Sequence, residues 1–378
     1  MQFVLSQLDS WCFREARPMG AVGGTAIESI FPPPASTLVG ACRTLIGDCL
    51  GVNWHAFSRG HTPEVAALIG DAQHSGQLSF GFPYLRVKSQ GVWQRLYPVP
   101  ATLMKAQDAL VMLQLGHDAI RCDLGNVRLP ELPQGCAMAK PLDQCWITET
   151  GMLKLVNAQL PTLTDIIEVN ELLHKEVRLG IGRSHQTASV LPGLLYQTEH
   201  IRFAEGERFE SMELVVPVTG LPPDVSKKLA ANEWQVRLGG EGRLANVALQ
   251  QNSAQKAPQP ALDNAALLYF TAPADLAGWL PESFKYEESS GVASWSAQID
   301  DFTVRIQALV AGKPLKLGGW DYAKKQPKPV RSLLPAGTCY FIESSNPASL
   351  QRWLQSNRFG QQTSFGYGEA TLLPVQFK

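Results

Sequence analysis

No stretch of the 378-residue chain approaches the roughly 18 apolar residues that a membrane-spanning helix needs. No basic segment precedes an apolar run at the N-terminus, so a secretory signal is not expected either. A surplus of charge is missing too. The 33 Lys and Arg face 34 Asp and Glu, and the formal net charge of −1 excludes a free-standing polycation that grips nucleic acid everywhere. The 7 cysteines are odd in number and include no C-x-x-C pair. They read as reduced core thiols of a cytoplasmic protein rather than a disulfide frame or a zinc ribbon. H-E-x-x-H, a nucleotide-binding fingerprint, a paired-carboxylate signature and a Ser/His/Asp order are all absent. His55, His61 and His74 cluster in sequence without a Cys or carboxylate at ligand spacing, so neither metal nor cofactor is expected.

What is present is a long globular composition, 45% hydrophobic and 18% charged, with 32 Gly and 26 Pro punctuating many short elements. The length exceeds one typical core, which makes two domains the expectation. The opening is the most informative stretch. Phe3 and Leu5, then Leu8 after one slip, read as a half-buried strand. Arg14 and Arg17 follow, then Gly20, Gly23 and Gly24, whose freedom to take positive φ lets backbone N–H groups approach a ligand. Ser36 or Thr37 suits the N-cap of a helix with Leu38, Cys42, Leu45, Ile46 and Cys49 on its apolar face. Strand, basic glycine loop and helix N-terminus together suit an anionic backbone, with Arg43 a further candidate contact about two turns in.

Taken in order, D-S-W-C-F-R-E-A-R-P-M, the Gly-Gly loop and F-P-P-P-A-S-T-L-V-G-A-C-R-T resemble the opening of the third subunit of the type III-B CRISPR (Cmr) effector complex. That family belongs to the RAMP superfamily, so the resemblance implies an α+β protein of two ferredoxin-like (RRM-type) domains with insertions. We expect residues 1–207 to form the first, with insertions at about 51–160, and 208–378 the second. Within the insertions, 63–70 and 106–115 read as short helices and F-P-Y-L-R-V-K as a strand with Arg86 and Lys88 outward.

Three later segments bear on the same resemblance. G-I-G-R-S-H-Q-T-A-S-V-L-P-G-L-L-Y is similar to a family segment and reads as two β arms around residues 184–193, a protruding hairpin carrying Arg178, Arg183 and His185. The resemblance implies a thumb that props guide RNA apart. A strand at 213–218 is expected to open the second domain, and Pro222-Pro223 a helix. L-G-G-E-G-R is a turn that the family also carries, although alone it reads as an ordinary hairpin. Near the end, S-F-G-Y-G-E-A resembles the superfamily's glycine-rich loop and brings forward Gly366 and Gly368.

Charge also separates along the chain. Between Asp263 and Asp301, seven acids (Asp263, Asp275, Glu282, Glu287, Glu288, Asp300, Asp301) face Lys285 alone, a balance of −6. From Phe302 to Ile342, seven bases (Arg305, Lys313, Lys316, Lys324, Lys325, Lys328, Arg331) face Asp321 alone, a balance of +6. The basic part interleaves Trp320 and Tyr322, the mixture that single-stranded RNA sites use, and a solvated lysine loop pairing with the acidic part has the same pattern. The resemblance implies a non-catalytic subunit that binds the 5′ end of the guide (CRISPR) RNA, docks the large cyclase-bearing subunit and neighbours a RAMP backbone subunit. The alternative is a metal-independent endoribonuclease that processes guide-RNA precursors with His185 or His55 as acid/base.

Overall fold

The computed structural model describes residues 1–14, 26–71, 75–136, 138–204, 206, 208–251, 263–321 and 326–376. The chain forms two compact units. The first gathers Met1–Trp93, Asn170–Ser253 and Lys316–Arg331, the second Gln94–Val169, Ala254–Leu315 and Ser332–Lys378. The units therefore interleave along the chain, where the sequence suggests a single cut at 207/208. Residues 94–160, expected as insertions of the first domain, belong to the second unit.

The first unit contains β1 (Gln2–Gln7), α1 (Ala35–Cys49), β2 (Tyr84–Ser89), β3 (Leu173–Arg183), β4 (Val190–Phe203), β5 (Ser211–Thr219), α2 (Pro223–Ala230), β6 (Trp234–Arg237) and β7 (Leu244–Gln250). Its sheet runs β2-β5-β1-β7-β6, antiparallel throughout. Phe3 lies opposite Val216 and Leu249, and Leu5 opposite Leu214 and Val247, so the apolar alternation of three strands coincides on one face. Two strand–helix–strand crossovers, β1–α1–β2 and β5–α2–β7, interlock in this sheet, and α1 packs on α2 and β6 while α2 packs on β7. Leu38, Cys42, Leu45, Ile46 and Cys49 of α1 are all buried, as their spacing predicts.

Three expectations are corrected here. β1 is not half-buried: Val4 is only 4% exposed, whereas Leu8 lies outside the strand at 47%. Pro34 is the residue before α1, with no side-chain capping bond, so neither Ser36 nor Thr37 is the N-cap. The strand expected to open a second domain, β5, instead pairs with β1. A central strand needs a partner along each edge, and β5 supplies one of the two for β1.

The second unit is built on β8 (Ala265–Phe270), β9 (Lys285–Ser289), β10 (Val292–Ile299), β11 (Phe302–Val310), β12 (Cys339–Ser344), α3 (Pro347–Ser356) and β13 (Ala370–Leu373), with strand order β9-β10-β11-β12-β8-β13. Continuous apolar runs such as A-A-L-L-Y-F belong to strands buried on both faces. Ala266, Leu268 and Phe270 join Tyr340, Ile342 and Leu350 and Leu354 of α3 in one core layer. Leu267 and Tyr269 join Cys339, Phe341 and Met152 and Leu155 of the helix Glu149–Val156 in the other. Residues 106–115 are not helical. Leu103–Ala106 and Ala109–Met112 pair around a two-residue turn with Gln107 at φ 51°, and Gln114–Cys122 is a strand. No helix among the described residues is long and apolar enough to cross a membrane.

Candidate nucleic-acid interface

Beyond β1 the chain enters the first unit's most heavily tied junction. Ser10, Trp11, Cys12 and Phe13 are buried. Trp11 exchanges backbone hydrogen bonds with Ile201 of β4 at 2.8 and 2.7 Å, and its indole N–H donates to the Leu244 carbonyl at 2.9 Å. Its ring meets Phe13 and Phe203 edge-on at centroid distances of 5.9 and 5.3 Å. The Phe13 N–H donates to Ser29 Oγ at 2.7 Å, and Arg14 forms an isolated bridge with Ser29. The short strand Ala26–Ile27 then pairs in parallel with Gln197 and Thr198 of β4.

The L-G-G-E-G-R turn closes the junction from a third side. The Gly240 N–H donates to the Cys12 carbonyl at 2.7 Å. Gly239 sits at φ 82°, and a Cβ there would lie 2.4 Å from the Cys12 oxygen. Only glycine permits that approach. The turn thus fixes Arg243 beside the residues that follow β1.

β3 and β4 form the expected hairpin, paired from Leu173–Phe203 to Ile181–Leu195 and, past an irregularity, at Arg183–Val190. The connecting residues are 184–189, shorter than the expected 184–193. Arg183 closes the tip, its Nε and Nη2 donating to the Ala188 carbonyl at 3.3 and 2.9 Å. His185 is exposed at that tip. Gly180 and Gly182 make room for Tyr196 and Leu194, which would lie 2.2 and 2.7 Å from added Cβ atoms. Val177, Leu179, Ile181, Val190, Leu194 and Leu195 are all exposed, with Leu179 at 72%. So much exposed aliphatic surface on one arm marks a contact surface.

Charges at the hairpin base alternate. Asp9 Oδ2 lies 2.7 Å from Arg243 Nη1 and Asp9 Oδ1 lies 3.8 Å from Arg178 Nη2. Arg178 also meets Glu176 at 3.0 Å, and Glu176 meets Arg202 at 3.3 Å. Lys175 pairs with Glu199 at 3.0 Å. Beneath them His200 is 1% exposed, with Nδ1 at 3.1 Å from Ser10 Oγ. Burial, and then the positive charges of Arg178 and Arg243, push its pKa below the ordinary histidine value. Burial followed by the Glu241 charge raises the Cys12 thiol.

The structure gathers some of the expected site residues and separates others. Arg14 is exposed, its side chain without a partner among the described residues. Arg17 lies outside the described residues, as do Gly20, Gly23, Gly24 and His74. Ser36 is exposed and Thr37 half-buried in the first turn of α1. Arg43 does not face outward as a phosphate ligand. Its Nη2 donates to the Asp71 carbonyl at 2.7 Å and its Nε to the Ile69 carbonyl, tying α1 to the end of the helix Pro63–Ile69. Burial lowers its pKa, as it does for a guanidinium drawn out of water.

Lys316 and Lys328 are exposed and Arg331 half-buried on a second arm, where Leu315–Leu317 pairs with Arg331–Leu333 and Trp320–Asp321 with Gln326–Pro327. Tyr322, Lys324 and Lys325 lie outside the described residues. Lys313, exposed, belongs to the second unit, as do Gly366 and Gly368. Both glycines are buried, at φ 88° and 76°, and a Cβ on Gly368 would lie 1.8 Å from the Phe359 carbonyl oxygen. Both positions take a backbone conformation that favours glycine. Arg243, Asp9, Arg202 and the Ser10–His200 pair were missed as site residues. Arg243 stood inside a quoted motif, and no local pattern signals that it meets Asp9. No group of three or more His, Cys, Asp or Glu gathers among the described residues in a way that could hold a metal ion.

The opening stretch, the hairpin and the glycine turn, which carry the resemblance to a CRISPR-associated family, meet at one junction of the first unit. Residues 3–375 match the family model of CRISPR-associated protein Cas_Cmr3. The chain belongs to that family, and is a Cmr3-type subunit of a type III-B effector. Among solved structures, it shares its fold with a chain of the type III-B Cmr-beta bound to cognate target RNA, at 14% identity and a TM-score of 0.51 over 99% of this chain and 97% of that one. A chain of the same assembly bound to cognate target RNA and AMPPnP matches at 13% identity and a TM-score of 0.49, over 94% and 89% of the two chains. No curated protein matches.

Proposed function

We propose that the chain is the non-catalytic subunit that holds the 5′, repeat-derived end of the guide RNA in a type III-B effector, docks the large cyclase-bearing subunit and neighbours a RAMP backbone subunit. One observation carries this: the opening stretch, the hairpin and the L-G-G-E-G-R turn, far apart in sequence and all part of the resemblance, converge on one arginine-bearing junction of the first unit. In this reading Arg14 and Arg178, together with Ser36 and Thr37 in the first turn of α1, contact the RNA backbone. Arg183 and His185 extend it along the aliphatic arm, which acts as the thumb. Arg17 and the basic segment with Lys313, Lys316, Lys328 and Arg331 add contacts to the strand. The interlocked crossovers β1–α1–β2 and β5–α2–β7, in the order β7-β1-β5-β2, support a ferredoxin-like first domain. The order β13-β8-β12-β11, with α3 linking β12 to β13, supports a second. The compartment is the cytoplasm.

Non-catalytic binding is preferred over the nuclease alternative on the placement of its two candidate bases. His55 and His185 are exposed, and neither ring is hydrogen-bonded to a described residue. Neither has the paired acid and base that rapid metal-independent RNA cleavage needs. The test of the site is the salt dependence of guide-RNA affinity in the Arg14→Ala, Arg17→Ala double variant. Each lost phosphate contact should flatten the slope by about 0.7–0.9. An unchanged slope places the site elsewhere.

A further inference from the structure

We propose that Arg178 and Arg243 form a phosphate site that Asp9 occupies in the free chain, so that an RNA backbone enters by displacing the Asp9 carboxylate. This rests on the RNA-binding function proposed above and adds its regulation. The two guanidiniums come from separate elements, β3 and the glycine turn before β7, and both face the single carboxylate at the end of β1, at 3.8 and 2.7 Å. A carboxylate presents two oxygens to guanidinium N–H groups as a phosphate does.

The arrangement favours exchange over permanent pairing. The Asp9 side chain is 57% exposed, and those of Arg178 and Arg243 are 36% and 24% exposed. An ion pair in such contact with water holds weakly and yields to a polyanion of higher charge density. The arginines, by contrast, are anchored. Glu176 braces Arg178 at 3.0 Å. The Arg243 backbone is pinned in the turn by the bonds Leu238 N–H to Arg243 O and Arg243 N–H to Gly240 O, at 2.8 and 3.2 Å. Arg243 Nε is buried without a hydrogen-bond partner among the described residues, and the outer nitrogen Nη1 makes the ion pair. His200 below them is depressed in basicity by burial first and then by these same two arginines, against the opposing charges of Glu241 and Asp9. An internal acid that fills an anion site keeps the free chain from taking up polyanions before assembly.

The test uses the full chain at low ionic strength with a short single-stranded RNA, read by fluorescence anisotropy. Inorganic pyrophosphate is titrated separately by calorimetry. Asp9→Asn should tighten RNA binding by up to about fivefold, the worth of an exposed ion pair. The gain should shrink when Arg243→Ala is added and vanish when Arg178→Ala is added as well, since Asp9 then has no partner to release. Glu233→Gln, an equal charge change at an exposed position of the same unit, should give no such gain. Asp9→Ala should repeat the result of Asp9→Asn. RNA binding that is equal in the original chain and Asp9→Asn, or an equal gain in Glu233→Gln, overturns the proposal while RNA binding itself stands. A gain for pyrophosphate in Asp9→Asn with no RNA bound by any variant supports the anion site and overturns RNA as its occupant in the isolated chain. No binding of either probe by any variant overturns both.

Discussion

Arg43 illustrates how one residue type serves different chemistry at neighbouring positions. An arginine near a helix N-terminus reads as an anion ligand, but its reach depends on what packs beside the helix. Here the helix Pro63–Ile69 leaves carbonyls at its end that the guanidinium satisfies. Arg43→Met keeps the apolar stem and strands those acceptors, so it should cost about 1–3 kcal/mol in denaturant unfolding while RNA affinity stays unchanged. His200 is legible only in three dimensions, because its partners Ser10, Arg178 and Arg243 come from distant segments. Its folded pKa lies below the ordinary value of 6.5, so the unfolded chain binds the extra proton between the two values. Its contribution is therefore complete above pH 6.5 and is lost as pH falls toward the folded value. Thermal melts of His200→Gln against the original chain should show a flatter stability profile just below pH 6.5.

At the scale of elements, local pattern was a good guide wherever one chain segment decides the outcome. The apolar face of α1, Pro223 opening α2 and the hairpin arms all stand where periodicity and proline placed them. It failed where a partner decides. The tip of the hairpin is shorter because Arg183 and Val190 pair beyond an irregularity, and residues 106–115 are strands because a turn at Gln107 folds them back. The glycine loops were visible as motifs, though not what they avoid touching. Gly368→Ala should bring its Cβ into the Phe359 carbonyl and force strain at φ 76°, at a cost on the order of 3 kcal/mol or more. The thermal midpoint of the variant checks this. Replacing residues 184–189 by Asn-Gly should leave that midpoint unchanged, since the tip is largely exposed, and weaken RNA binding through loss of the thumb.

At the scale of the whole molecule, the chain forms two compact units and crosses between them several times. The pairing of β1 with β5 joins residues more than two hundred positions apart, and no local signal distinguishes it from a strand that opens a new domain. The balance of charge, −1 over 378 residues, leaves little long-range attraction for RNA. The carboxylates that hold Arg178, Arg202 and Arg243 reduce it further at the junction. On the proposed function, tight binding is accordingly expected of the assembly rather than of the chain alone. The central claim is that this subunit holds guide RNA without cutting it. The most direct measurement incubates the purified chain, alone and with the large cyclase-bearing subunit, with end-labelled repeat-derived RNA, and follows it on native and denaturing gels. A stoichiometric complex with the partner and intact RNA throughout is the expected result. Specific cleavage by the chain alone, abolished by His185→Ala or His55→Ala, would contradict it.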